Sequence, residues 1–173
     1  VTRKAEGGYY HVRGTEAHVG PSAEAEEALA ERLGAVPNQV GQYARWELWK
    51  KLGPHLCHFL HHIGTTGSSA YEATAVHKEM AESFVEAGRW GDQPPQVVVR
   101  SHRHRCLEVR VPTAAGYGIA IVTPGFQLKT PFSWKIPGAR IAQPQIGGVL
   151  IRLGDEELHT RFKVWRVERP EPE

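Results

Sequence analysis

Sulfur is scarce in this chain of 173 residues, which holds two cysteines and one methionine. Cys57 and Cys106 lie in apolar segments with no CxxC spacing, which excludes a disulfide framework and reads as reduced core thiols of a cytoplasmic protein. No apolar run approaches the roughly 20 residues of a membrane span, and Val1-Thr2-Arg3-Lys4 is not the opening of a signal peptide. Charge of one sign is also lacking. Twenty-one Lys and Arg against nineteen Asp and Glu give a net +2, too little to indicate a polyanion ligand without further evidence. What the chain does have is histidine, ten of them, several side by side.

The length suits one domain over residues 1–173, with enough chain to bury a core of its own. Tyr9 to Arg13 reads as a short strand. Ser22 is the expected N-cap of a helix that carries Glu24, Glu26 and Glu27 in its early turns and stops at Gly34. Arg45 to Lys50 and His55 to His62 form an expected hairpin about Gly53-Pro54. Gly64 to Ser69 reads as a loop that feeds a second helix, Ala70 to Ala87, with Ala73, Val76, Met80 and Phe84 on one face and Gly88 past its end. Strands follow over Val97–Val99, Cys106–Val111, Gly118–Thr123, Ile146–Leu153 and Leu158–Val167, then a frayed tail rich in Pro and Glu. This order predicts an α+β fold with two main helices covering a mostly antiparallel sheet.

Three segments with chemical potential fall where strands end. They are Arg13-Gly14-Thr15-Glu16-Ala17-His18, His61-His62-Ile63-Gly64 and Arg100-Ser101-His102-Arg103-His104-Arg105. On an extended backbone His102 and His104 would point to one side, about 7 Å apart at Cα. Neutral imidazole suits zinc, iron and nickel, and a carboxylate such as Glu16 extends the set towards harder ions. Bland readings stand beside this one. Arg100 to Arg105 also fits a solvated basic loop or a phosphate-contacting patch on nucleic acid. His61-His62 also fits a strand end, and Glu16 also suits a helix N-terminus. His11, His55, His58, His77 and His159 stand alone and read as structural.

Gly-Thr-Glu-Ala-His, then His-His-Ile-Gly, then Val-Val-Val-Arg-Ser-His-Arg-His resembles the C-terminal half of calcineurin-like metallophosphoesterases, most nearly the phage- and bacterial-type members. That family uses DxH, GDxxD, GNH[DE], a later single His and a final GHxH. The resemblance implies that His102 is a ligand of the second metal and His104 of the first, with His61 or His62 as the isolated ligand of the second. Gly14 to His18 stands where GNH[DE] is expected, so His18 resembles the histidine that assists the leaving group, and Thr15 or Glu16 replaces the asparagine. Ser101 stands where glycine is usual, the Gly14 to His18 segment is one residue longer, and no DxH or GDxxD precedes it.

The expectation is therefore a truncated metallophosphoesterase-like sandwich with one firm metal site. Its ligands would be His61 or His62, His102 and Glu16, with His104 left from the other site. Zinc is the first candidate, with manganese or iron as alternatives. The implied activity is metal-dependent hydrolysis of a small phosphodiester or phosphotriester, with His18 as general acid and Arg103 or Arg105 steadying the phosphate oxygens. The same resemblance implies a homodimer that covers the missing half. Two other outcomes stay open: a non-catalytic metal- or nucleic-acid-binding remnant, and a metal-dependent carboxylic ester hydrolase.

Overall fold

A computed structural model describes residues 7–16, 22–64, 69–114, 116–131, 133–135, 142–155 and 157–168. The fold is α+β. In chain order it runs β1 (His11–Val12), α1 (Glu24–Arg32), β2 (Ala44–Arg45), β3 (Glu47–Leu52), β4 (His55–Leu60), α2 (Glu72–Trp90), β5 (Val97–Arg100), β6 (Leu107–Thr113), β7 (Gly116–Val122), β8 (Ile146–Leu153) and β9 (Leu158–Trp165). Most of the strand pairing is antiparallel: β3 with β4, β6 with β7, and β8 with β9.

The centre of the sheet is different. Its order is β3-β4-β5-β7-β6, and β5 pairs in parallel with both β4 and β7. A parallel pair needs a crossover, which α2 provides between β4 and β5. All four residues of β5 are buried, as its unbroken apolar run requires of a strand covered on both faces.

Alternation then sorts the side chains into two layers. Val98, Ala120 and Val122 face α2 and pack with Val76 and Met80. Val97, Val99, Ile119 and Ile121 face the β8–β9 hairpin and pack with Leu158, Val149 and Phe162. The sheet is thus sandwiched between a helix and a hairpin. Gly118 lets Met80 lie close, because a Cβ there would run into the methionine methyl.

Element ends differ from the sequence reading in definite ways. Ala23, at φ 54°, takes the N-cap position of α1 in place of Ser22, with no side-chain cap. The second helix runs through Gly88 to Trp90 and ends on Gly91, whose left-handed φ of 72° lets the Asp92 N–H reach the Ala87 carbonyl. Ala75, not Ala73, joins the buried face of α2. The expected Arg45–Lys50 strand is split at Trp46, so β2 leaves the main sheet and pairs in parallel with β1. Cys57 is buried and Cys106 half-buried; both are free thiols. Among the described residues no helix is long and apolar enough to cross a membrane. The expectations for residues 65–68 and for the tail after Glu168 lie outside the described residues.

Candidate metal centre

Strands β4, β5 and β7 run in the same direction side by side, so their C-terminal ends share one edge of the sheet. In sheets of this kind, ligands collect beyond the carboxyl ends of parallel strands. His61-His62 follows β4, Ser101 to Arg105 follows β5, and Thr123-Pro124-Gly125 follows β7. Cross-links hold these three loops together. The Ser101 N–H donates to the His61 carbonyl at 3.0 Å and the Thr123 N–H to the Arg100 carbonyl at 2.8 Å. The Ser101 and Thr123 hydroxyls lie 2.9 Å apart.

Local conformation then aims the rings. Ile63 drops into the core beneath α2, which leaves His61 half-buried and His62 exposed on the strand end. The sequence reading expected an extended His102-Arg103-His104, but both histidines are left-handed, at φ 54° and 51°. Histidine enters that region more readily than most residues, and such backbone concentrates at functional sites. A tight γ-turn about His102 fixes it, with the Arg103 N–H donating to the Ser101 carbonyl. The extended HxH backbone therefore does not form.

His61, His62 and His102 do converge. Ring centroids are 5.2 Å apart for His61 and His62, 5.3 Å for His61 and His102, and 5.5 Å for His62 and His102. His61 Nε2 and His102 Nδ1 are 3.3 Å apart. Two nitrogens bound to one tetrahedral zinc, each about 2.0–2.1 Å from the ion, stand roughly 3.3–3.4 Å from each other. The pair is thus already at ligand spacing, with the third imidazole beside it. Among the described residues no group of three or more His, Cys, Asp or Glu side chains is placed to hold a metal ion, so the arrangement is that of a pair with a third ring nearby. Burial, with the neighbouring His102, His62 and His104 rings, pushes the His61 pKa down to about 4. Its ring is therefore neutral at pH 7, the form that binds a metal.

The other candidates take separate places. His104 sits with its ring against Gly125, where a Cβ would come within 2.7 Å of the ring carbon. It remains close enough to His61 to influence its charge. Glu16 is exposed and makes no hydrogen bond or ion pair among the described residues. The carboxylate that acts on His61 is instead Glu26, which also accepts hydrogen bonds from the Gly14 N–H at 3.0 Å and from His11 at 2.7 Å. An acid in the first turn of a helix is so ordinary that no sequence signal set Glu26 apart. Thr15 Oγ1 is buried without a partner among the described residues. His18 lies outside the described residues.

Nor are the arginines of the third segment equivalent. Arg100 is buried and paired with Glu79 at 2.9 Å, fastening β5 to α2. Arg105 pairs with Glu72 at 3.0 Å. Arg103 donates to the Gly64 carbonyl, and its buried Nη1 has no partner among the described residues. A solvated basic loop would leave all three in water, which is not the arrangement found. His58, stacked on Trp49 at 4.0 Å, and His11, bonded to Glu26, are structural histidines.

The chain matches no family model, no curated protein and no solved structure.

Proposed function

We propose that this chain carries the site of a metal-dependent phosphoester hydrolase, with His61 and His102 holding a divalent cation and His62 beside them as the third imidazole. The observation that carries the reading is the 3.3 Å nitrogen–nitrogen spacing on two loops brought together by parallel strands. All-nitrogen donors favour zinc, with manganese or iron as alternatives. A cation held there supplies polarisation of a phosphoryl oxygen and a bound water acidic enough to ionise near neutral pH.

The chain's own residues supply the rest. Arg103 Nη1 is a buried charged donor with no hydrogen-bond partner among the described residues, and pairing with a phosphate oxygen would relieve the cost of its burial. The γ-turn holds His102 in place before any substrate arrives, so orientation costs little at the moment of reaction. His18 is the leaving-group acid in this reading, on the ground of its place in the sequence, and Thr15 or Glu16 stands where the family's asparagine would be. The likeness to calcineurin-like metallophosphoesterases supports the same assignment, since the same three segments supply these residues.

Metal content by inductively coupled plasma mass spectrometry, together with hydrolysis of an aryl phosphodiester, tests it. Near one equivalent of zinc, manganese or iron per chain is expected, with chelator-sensitive turnover. His102→Ala should lose both the metal and at least about a hundredfold of the rate. A folded chain that takes up no added metal would refute the reading. Aryl acetate turnover exceeding that of the phosphodiester would instead favour the carboxylic ester hydrolase.

A further inference from the structure

A cleft of about 590 Å³ opens beside the site, with His61 in its lining. Its floor is one face of the main sheet. Alternation along β4 places Cys57, Phe59 and then His61 in one row, and the row along β5 is Val97, Val99 and then Ser101. The periodicity that builds an apolar floor therefore ends it on the polar groups of the site. Val149 and Ile151 of β8 form one wall, and Tyr10 and Val12 form the other. His61, Ser101 and Thr123 close the polar end. Among the described residues no carboxylate lines the cleft, and the charged side chains in its lining are Lys50 and Lys51.

We infer that this cleft binds an alkyl or aryl arm of the substrate, which makes the substrate an amphiphilic phosphoester with its phosphoryl group at His61 and His102. This rests on the hydrolase reading and names its substrate class. A polar or charged arm would leave water for a floor of Phe59, Val99 and Leu52 with no partners to replace it. An apolar arm gains from the same transfer, about fourfold in affinity per buried methylene. The volume lies in the range of small-molecule pockets, and the one polar end fixes which way an amphiphile must enter.

Titration calorimetry of the zinc-supplied full chain with methyl-, butyl- and octylphosphonate tests this without turnover. Affinity should rise about sixtyfold from methyl to butyl, three methylenes on. Methyl resonances of Leu48, Val149 and Ile151 should shift with butylphosphonate and not with methylphosphonate. Leu150 lines the rim and is 56% exposed, so Leu150→Asp should leave the fold intact. That variant should weaken butylphosphonate by about tenfold and leave methylphosphonate unchanged. Equal affinity across the series would overturn the inference while leaving the hydrolase reading intact. If zinc is retained and no phosphonate binds, the phosphoester reading falls. The alkylcarboxylate series then decides the cleft on the same methyl resonances, and a flat response there overturns it too.

Discussion

Glu27 ties three pieces of backbone together. Its carboxylate accepts the N–H groups of Tyr43 and Ala44, the second at 2.8 Å, and meets the Arg13 guanidinium at 3.4 Å. Burial pushes its pKa up, but the two N–H donors and Arg13 outweigh that and hold it below the ordinary value. A carboxylate lowered on folding contributes stability that is present above its unfolded pKa and lost as pH falls through the folded one. Glu27→Gln should therefore cost about 1.5–3 kcal/mol at pH 7, by loss of charge-assisted hydrogen bonds. The difference from wild type should shrink as pH falls through the ordinary carboxylate range to the lowered folded-state pKa, where wild-type Glu27 takes up its proton. Urea titrations across that range check it. The glycine facing His104 matters as much at this scale. Gly125→Ala places a methyl against the ring, so the ring must move. On the hydrolase reading, hydrolysis should fall between about tenfold and a hundredfold with an unchanged circular dichroism spectrum, as expected when a ring beside the proposed site is displaced.

At the scale of elements, the site exists because β4, α2 and β5 form a crossover unit. Parallel pairing of β4 with β5 brings His61 and His102 together across 41 residues. Helix α2 is held to β5 by Arg100 and Glu79 and to the histidine loop by Arg105 and Glu72. The hairpin β8–β9 depends on a close backbone approach at Gly147, where a Cβ would collide with the Lys163 carbonyl. Gly147→Ala should therefore destabilise the fold by about 1–3 kcal/mol. The hairpin also forms one wall of the cleft, so this variant should weaken butylphosphonate more than methylphosphonate. Thermal melts and calorimetry read the two effects separately.

For the whole molecule, the proposed metal site would link metal binding to folding. A ligand that binds only the native state at a hundred times its Kd adds about 2.7 kcal/mol. For a chain of this size that is roughly 5–11 °C in Tm. Zinc should raise the melting temperature of the wild type by this amount and leave His102→Ala unmoved, as scanning calorimetry would show. The homodimer proposed for the active unit is checked by light scattering, which should give twice the chain mass of 19.3 kDa. Phe126 is 79% exposed with its ring 6.1 Å from that of Trp165, an apolar pair open to a second copy. A monomeric mass at micromolar concentration would refute the dimer.

Much of this was written locally. The run Val97-Val98-Val99 could only be a strand buried on both faces, and the spacing of Val76, Met80 and Phe84 could only be one helix face, because burial follows the periods of two and 3.6. The sequence by itself therefore determined the α+β class, the hairpin about Gly53-Pro54, and the placing of His61-His62 and His102 at strand ends. Tertiary structure decided what periodicity does not encode. His102 is left-handed within a γ-turn of its own loop and His104 is left-handed beside Gly125, so the extended HxH geometry did not form. Glu26 reached His61, while Glu16 stayed in solvent, because α1 packs across β1 and delivers its acids from 12 to 17 residues away. Arg100 and Arg105 pair with Glu79 and Glu72 of α2, while Arg103 Nη1 has no hydrogen-bond partner among the described residues. Local sequence sets which face a side chain takes; only the packing of distant segments sets which charges and rings it meets there.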